Sequence, residues 1–132
     1  MRNNSKPAEV AVTRTCILVV EDELLIRLCV ADSLRDAGYD VVEAASGNEA
    51  AVLLEAGAHV DLVFSDVRMP GSIDGLALLK IVRQRSPGLP VVICSGHLEP
   101  GIALACGATG FIPKPYEFSE VVSLIESELA ER

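Results

Sequence analysis

Leu62-Val63-Phe64-Ser65-Asp66 is an apolar run that ends on a carboxylate and leads into Met69-Pro70. Its length and its lack of polar alternation read as a strand buried on both faces, delivering one acid to the rim of a sheet. Other runs end the same way: Glu21-Asp22 follow Cys16 to Val20, Ser95 follows Val91 to Cys94, and Lys114 follows Phe111 to Pro113. One acid at a strand end is common. Four runs that each release a polar group at the same end make a site.

Outward from this stretch, strand-like and helix-like segments alternate five times. Thr15 to Val20 precedes a helical pattern over Leu24 to Ala37, whose apolar face is expected to carry Leu24, Leu25, Leu28, Ala31 and Leu34, with Gly38 at its end. Asp40 to Ala44 is a short strand, and Ser46 with Glu49 predicts a capping box on a helix that faces Leu53 and Leu54 inward and stops at Gly57. After the strand Asp61 to Ser65, Asp74 caps a helix bearing Leu76, Leu79 and Val82, which Ser86-Pro87-Gly88 ends. Pro90 to Cys94 and Thr109 to Pro113 are the remaining strands. Leu98 to Cys106 is a helix cut short by Pro100 and Gly101, and Glu117 to Ala130 is a final amphipathic helix.

Continuous apolar strands with helical crossovers predict an α/β fold: a doubly wound, five-stranded parallel sheet of the flavodoxin-like (βα)5 type, order 2-1-3-4-5. Pro113 favours that order, because proline is tolerated in a sheet at an edge or bulge, and this order makes the fifth strand an edge.

The bulk properties narrow the function. The 132 residues suffice for one core, expected over 14–132 behind a flexible polar leader over 1–13. No apolar run is long enough to span a bilayer and no secretory signal is visible, so a cytoplasmic protein without a membrane partner is expected. A net charge of −8 without a basic cluster argues against nucleic acid as a partner. Cys16, Cys29, Cys94 and Cys106 sit in apolar surroundings without metal-type spacing, and His59 and His97 do not supply it, so buried free thiols are expected.

In an open parallel sheet, ligands bind beyond the carboxyl ends of the strands at the switch in strand order. There Glu21, Asp22 and Asp66 converge. Three carboxylates repel one another, and a hard divalent cation relieves this; Mg2+ suits few carboxylates, open water positions and an incoming phosphate. Ser95 and Lys114 approach from the other side, where a hydroxyl and an ammonium can clamp phosphoryl oxygens. Asp66 between them is the in-line nucleophile for phosphoryl transfer, giving an acyl phosphate that is then hydrolysed.

Taken together, Glu21-Asp22, Asp66 with Met69-Pro70 and Asp74-Gly75, Ser95-Gly96 and Lys114-Pro115 resemble the receiver domain of two-component response regulators, over about residues 15 to 131. The resemblance implies that Glu21, Asp22 and Asp66 hold Mg2+ with the backbone carbonyl of Arg68, and that Asp66 is the phosphoacceptor. It makes Ser95 the switch hydroxyl, Lys114 its phosphate-pairing partner after a cis Lys114-Pro115 bond, and Phe111 the switch aromatic. Arg68 and His97, two residues beyond Asp66 and Ser95, border the path of the attacking water and are expected to tune the acyl-phosphate lifetime. The implied partners are a histidine kinase or histidine phosphotransfer protein upstream and a protein of unknown identity downstream. Self-association as a homodimer through the last helix is a further expectation of the resemblance.

Three features depart from the common pattern. The loop Met69 to Gly75 is one residue longer, Phe111 lacks a phenolic hydroxyl, and the interval from Ser95 to Phe111 shortens the fourth helix by about a turn. The chain ends one helix after Lys114, so a stand-alone regulator acting in trans, or a phosphate sink or shuttle, is expected rather than a multidomain effector; beyond its own phosphorylation and dephosphorylation it is not expected to be an enzyme. An aspartate-dependent phosphatase is the competing enzyme class, but its second acid would fall where Arg68 stands. A pseudo-receiver that binds partners without phosphorylation would have no need of all the acids, Ser95 and Lys114 together.

Overall fold

A computed structural model describes residues 14–131; the leader expected over residues 1–13 lies outside the described residues. The chain alternates β1 (Cys16–Val20), α1 (Leu24–Asp36), β2 (Asp40–Ala44), α2 (Gly47–Glu55), β3 (Leu62–Asp66), α3 (Gly75–Arg85), β4 (Val91–Ser95), α4 (Pro100–Ala105), β5 (Gly110–Pro113) and α5 (Phe118–Ala130). All pairings are parallel and the order is β2-β1-β3-β4-β5, as the sequence predicts, with Pro113 ending the edge strand β5.

Alternate residues of each strand enter opposite cores. Leu18, Val20, Val63, Val91 and Ile93 pack with Leu78, Leu79 and Val82 of α3, Ala50 of α2 and Ala103 of α4. Ile17, Val19, Leu62, Phe64, Val92 and Cys94 pack with Val30 and Leu34 of α1 and Val121 and Ile125 of α5. Both faces of the three central strands are therefore covered, which is why their sequences run apolar without alternation.

Local chemistry sets the element ends. Gly38 follows α1 with φ +102°, a conformation that disfavours side chains with a Cβ. Ser46 accepts from Glu49 N–H at 3.0 Å, but Glu49 reaches back to the Ala45 amide, one residue before the expected capping-box partner. Asp74 caps α3 by accepting from Ala77 N–H at 2.9 Å, and Glu117 with Glu120 forms a reciprocal capping box on α5 that the sequence reading lacked. Proline opens α4, which spans six residues and has no side-chain cap.

Two expectations need correction. The buried face of α1 is Val30, Ala31 and Leu34 with the partly buried Ile26, whereas Leu24 and Leu25 are 55% and 75% exposed and Leu28 is exposed too. The contact of α1 with α5 selects this face over the leucine-rich one. Cys29 lies on that outward face and is exposed, so only Cys94 is a fully buried thiol, with Cys16 and Cys106 half-buried; all four are free.

The long β3–α3 loop is fastened to α2. Asn48 donates from Nδ2 to Ser72 Oγ at 2.9 Å and accepts from Ile73 N–H at 3.2 Å. At the loop's far end Gly75 lies against the strand that carries Asp66: a Cβ there would sit 2.2 Å from the Asp66 carbonyl oxygen and 2.7 Å from Val67 Cα. Gly75→Ala is therefore expected to destabilise the fold by about 1–3 kcal/mol through overpacking. Gly88→Ala, where a Cβ meets nothing within 4 Å, is expected to stay within about 0.5 kcal/mol. Urea unfolding of both variants checks this, and equal midpoints would contradict it.

Candidate functional site

Strand register alone brings the polar residues together. Val20 pairs with Ser65, Asp66 with Cys94 and Ser95 with Pro113, so Glu21, Asp66, Ser95 and Lys114 reach the rim within one step of each other. The structure gathers Glu21, Asp22 and Asp66 so that one carboxylate oxygen from each lies within 4.8 Å of the others. Glu21 and Asp66 are buried, at 3% and 6% exposure, while Asp22 is exposed. Two sheltered acids and one open acid form an all-oxygen donor set with room for water. That set fits a hard divalent cation such as Mg2+.

Lys114 supplies the positive charge inside the protein. Its Nζ donates to Asp66 Oδ2 at 2.7 Å and stands 3.9 Å from Glu21 Oε1. The Lys114–Pro115 bond is cis, as expected. Burial lowers the ammonium's proton affinity, but the hydrogen bond and charge of Asp66 outweigh it and leave the group above its ordinary value. Glu21 goes the other way from a typical surface acid. Burial pushes its pKa up to about 7; the Glu23 amide, donating to Oε2 at 3.0 Å, and Lys114 restrain the rise, while Asp66 and Asp22 add to it.

Ser95 is buried, at 4% exposure, and its Oγ accepts from His97 N–H and Leu98 N–H, both at 3.1 Å. With its lone pairs engaged by the loop, the hydroxyl's remaining capacity is to donate. Asp66 Oδ1 accepts from Val67 N–H at 2.8 Å, which orients the carboxylate and leaves Oδ2 toward Lys114.

A cleft of about 610 Å3 opens over this group, lined on one side by Asp22, Asp66, Ser95 and Lys114. Arg68 and His97 also line it, both exposed at its mouth. Phe111 does not: it is half-buried in the core beneath α4. The sequence reading missed the other wall, made by Glu23, Ile26, Tyr116 and Phe118. Tyr116 packs edge-on against Phe64 at 6.1 Å and Phe118 at 6.2 Å, and its hydroxyl is buried beside the Cys94 thiol. Burial raises both that phenol and the neighbouring Cys94 thiol well above their ordinary values, so both are neutral beneath the acids. Only spacing of the aromatics around Lys114 could have signalled this wall.

Among the described residues no helix is long and apolar enough to cross a membrane. Residues 17–126 match the family model of the response regulator receiver domain. The chain is 38% identical over 120 residues to the DNA-binding transcriptional regulator NtrC of Salmonella typhimurium, an alignment covering 89% of this chain and 25% of that protein. It thus spans about a quarter of the length of that curated relative. Among solved structures, the receiver domain of NtrX from Brucella abortus superposes with a TM-score of 0.80 at 38% identity, covering 88% of this chain and 99% of that one. Vibrio cholerae chemotaxis protein CheY4 superposes with a TM-score of 0.79 at 32% identity, covering 87% and 98%. The match to the family model takes in nearly every strand and helix described above, and the chain belongs to the response regulator receiver domain family.

Proposed function

We propose that this receiver is phosphorylated on Asp66 in a Mg2+-dependent reaction and that the modification controls a protein-binding surface. The observation that carries this reading is the Asp66 carboxylate itself: buried at a strand end, 2.7 Å from the Lys114 ammonium, grouped with two further acids and facing an open cleft. Glu21, Asp22, Asp66 and the Arg68 carbonyl would hold Mg2+, which would offset negative charge on the phosphoryl oxygens. The donor is a phosphohistidine of a histidine kinase or histidine phosphotransfer protein. An Asp66 carboxylate oxygen forms the bond to phosphorus as the phosphorus–nitrogen bond breaks, and the imidazole leaves with a proton. Lys114 stabilises the transferring group, and Ser95, whose hydroxyl keeps its donor capacity, turns it toward the phosphate.

Water then hydrolyses the acyl phosphate, returning phosphate and the Asp66 carboxylate. Arg68 and His97 at the cleft mouth set how readily that water enters. Phe111 relays the change to α4, where the half-exposed Ile102 and Leu104 support a contact surface for a downstream protein. The likeness to CheY4, a chemotaxis protein, supports a regulator that acts in trans or a phosphate sink or shuttle. The likeness to NtrC favours use as the input part of a larger regulator. A phosphorylation-independent pseudo-receiver is the alternative, and the intact acid–lysine group weighs against it.

Intact mass after incubation with acetyl phosphate tests the proposal. A gain of one phosphoryl group that requires Mg2+ and vanishes in Asp66→Asn is expected; a folded, Mg2+-binding protein that gains nothing from either acetyl phosphate or a phosphorylated kinase would favour the pseudo-receiver.

The raised pKa of Glu21 adds a pH dependence. Without cation, the folded state retains a proton that the unfolded chain releases from about pH 4.5 upward. The contribution to stability therefore falls as pH rises from there to about 7, and is fully lost above it. Mg2+ needs the ionised carboxylate, so its affinity should rise about tenfold between pH 6 and pH 8, with proton release on binding near neutrality. Calorimetric titration at the two pH values measures this, and an unchanged affinity would count against Glu21 as a ligand.

A further inference from the structure

Arg27 makes a contact that neither helix formation nor ion pairing requires. It lies in the first turn of α1, and its Nη1 donates to the backbone carbonyl of Glu21 at 2.9 Å. Its Nε donates to Glu43 Oε1 on β2 at 3.2 Å, while Arg35 donates to the other oxygen of Glu43 at 3.1 Å. Arg27 and Glu43 are largely buried, at 15% and 21% exposure. Glu43 thus matches the charge of Arg27 and fixes the direction of its planar fork, and what reaches the acidic turn is an oriented donor.

The bonded carbonyl belongs to the peptide that joins Glu21 to Asp22. Its orientation sets the backbone torsions on either side, and those torsions decide whether the two carboxylates stand together or splay apart. Their repulsion favours splaying. The Glu21 amide donates to Ala44 O at 3.0 Å and its side chain accepts from Glu23 N–H, so Arg27 completes the restraint at the one remaining polar group of that residue. Leu24, Leu25 and Leu28 around Arg27 face outward, whereas Arg27 turns in to the acidic turn.

We propose that Arg27 is a positioning residue for the divalent-cation site, holding the Glu21–Asp22 peptide in the orientation that lets both acids ligate one ion. This inference rests on the reading of Glu21, Asp22 and Asp66 as Mg2+ ligands. Loss of an outer-shell partner of a metal ligand typically weakens binding about 10–100-fold.

Calorimetric titration of the full chain with Mg2+ tests it. Arg27→Met, which keeps the packing and removes the donor, should weaken Mg2+ binding about tenfold or more, and Arg27→Lys, which restores a donor, should recover most of the loss. Glu43→Gln removes the charge but keeps an amide oxygen that can accept from Arg27 Nε and aim the fork at the carbonyl, so it should bind Mg2+ nearly as wild type does even where its melting temperature falls. Should Arg27→Met not fold, Arg27→Gln, too short to reach the carbonyl, carries the same expectation. Wild-type affinity in a folded Arg27→Met or Arg27→Gln would overturn the inference, as would equal losses in Arg27→Met and Glu43→Gln. A wild-type chain that binds no Mg2+ would overturn the metal reading as well, whereas binding by wild type with an unaffected variant removes only the role of Arg27.

Discussion

Burying like charges side by side is the constraint around which this molecule is arranged. Glu21 and Asp66 are almost fully sheltered, and the charge of Asp66 adds to the rise in the proton affinity of Glu21. Water cannot screen them, so the protein must supply the opposing charge from its own chain or take it from an ion. Lys114 supplies one charge for three carboxylates. The remaining imbalance favours a cation at the rim, where the parallel register brings the ends of β1, β3, β4 and β5 together.

The glutamate at position 21 shapes how that imbalance is handled. The longer side chain folds back onto the Glu23 amide, and its carboxylate is more deeply covered than that of Asp22. Coverage and proton affinity rise together. On the proposed reading of Glu21 as a ligand, proton and metal ion compete for the same oxygen atoms near neutral pH, which would tie occupancy of the site to the solution around it.

Much of this was legible in the sequence, for a definite physical reason. Each central strand is covered on both faces, so it reads as an unbroken apolar run, and a polar residue at its end stands out. Asp66, Glu21, Ser95 and Lys114 were found in that way, and Pro113 favoured the observed order among the solutions open to a doubly wound sheet. The buried face of α1 was not legible, because Leu24, Leu25 and Leu28 offer as convincing a stripe as Ile26, Val30 and Leu34, and only the neighbouring α5 chooses between them. Arg27 left no motif because its partner is a backbone carbonyl, which any residue provides. Tyr116 and Phe118 carry no strand-end or capping signal, and only the folded chain brings them to the wall of the cleft.

The Asn48 clasp has a consequence for how free energy is distributed around the rim. On one side, the lengthened loop after Asp66 is bonded to α2 and runs into a well-capped α3. On the other, the loop after Ser95 runs into six residues of α4 with one buried side chain and no side-chain cap. Local opening costs least where few apolar contacts and few caps must be surrendered. The two halves of the rim are therefore unequal springs: a push delivered at Asp66 would meet a stiff support toward α2 and α3, and the compliant side, at α4, would take up the displacement.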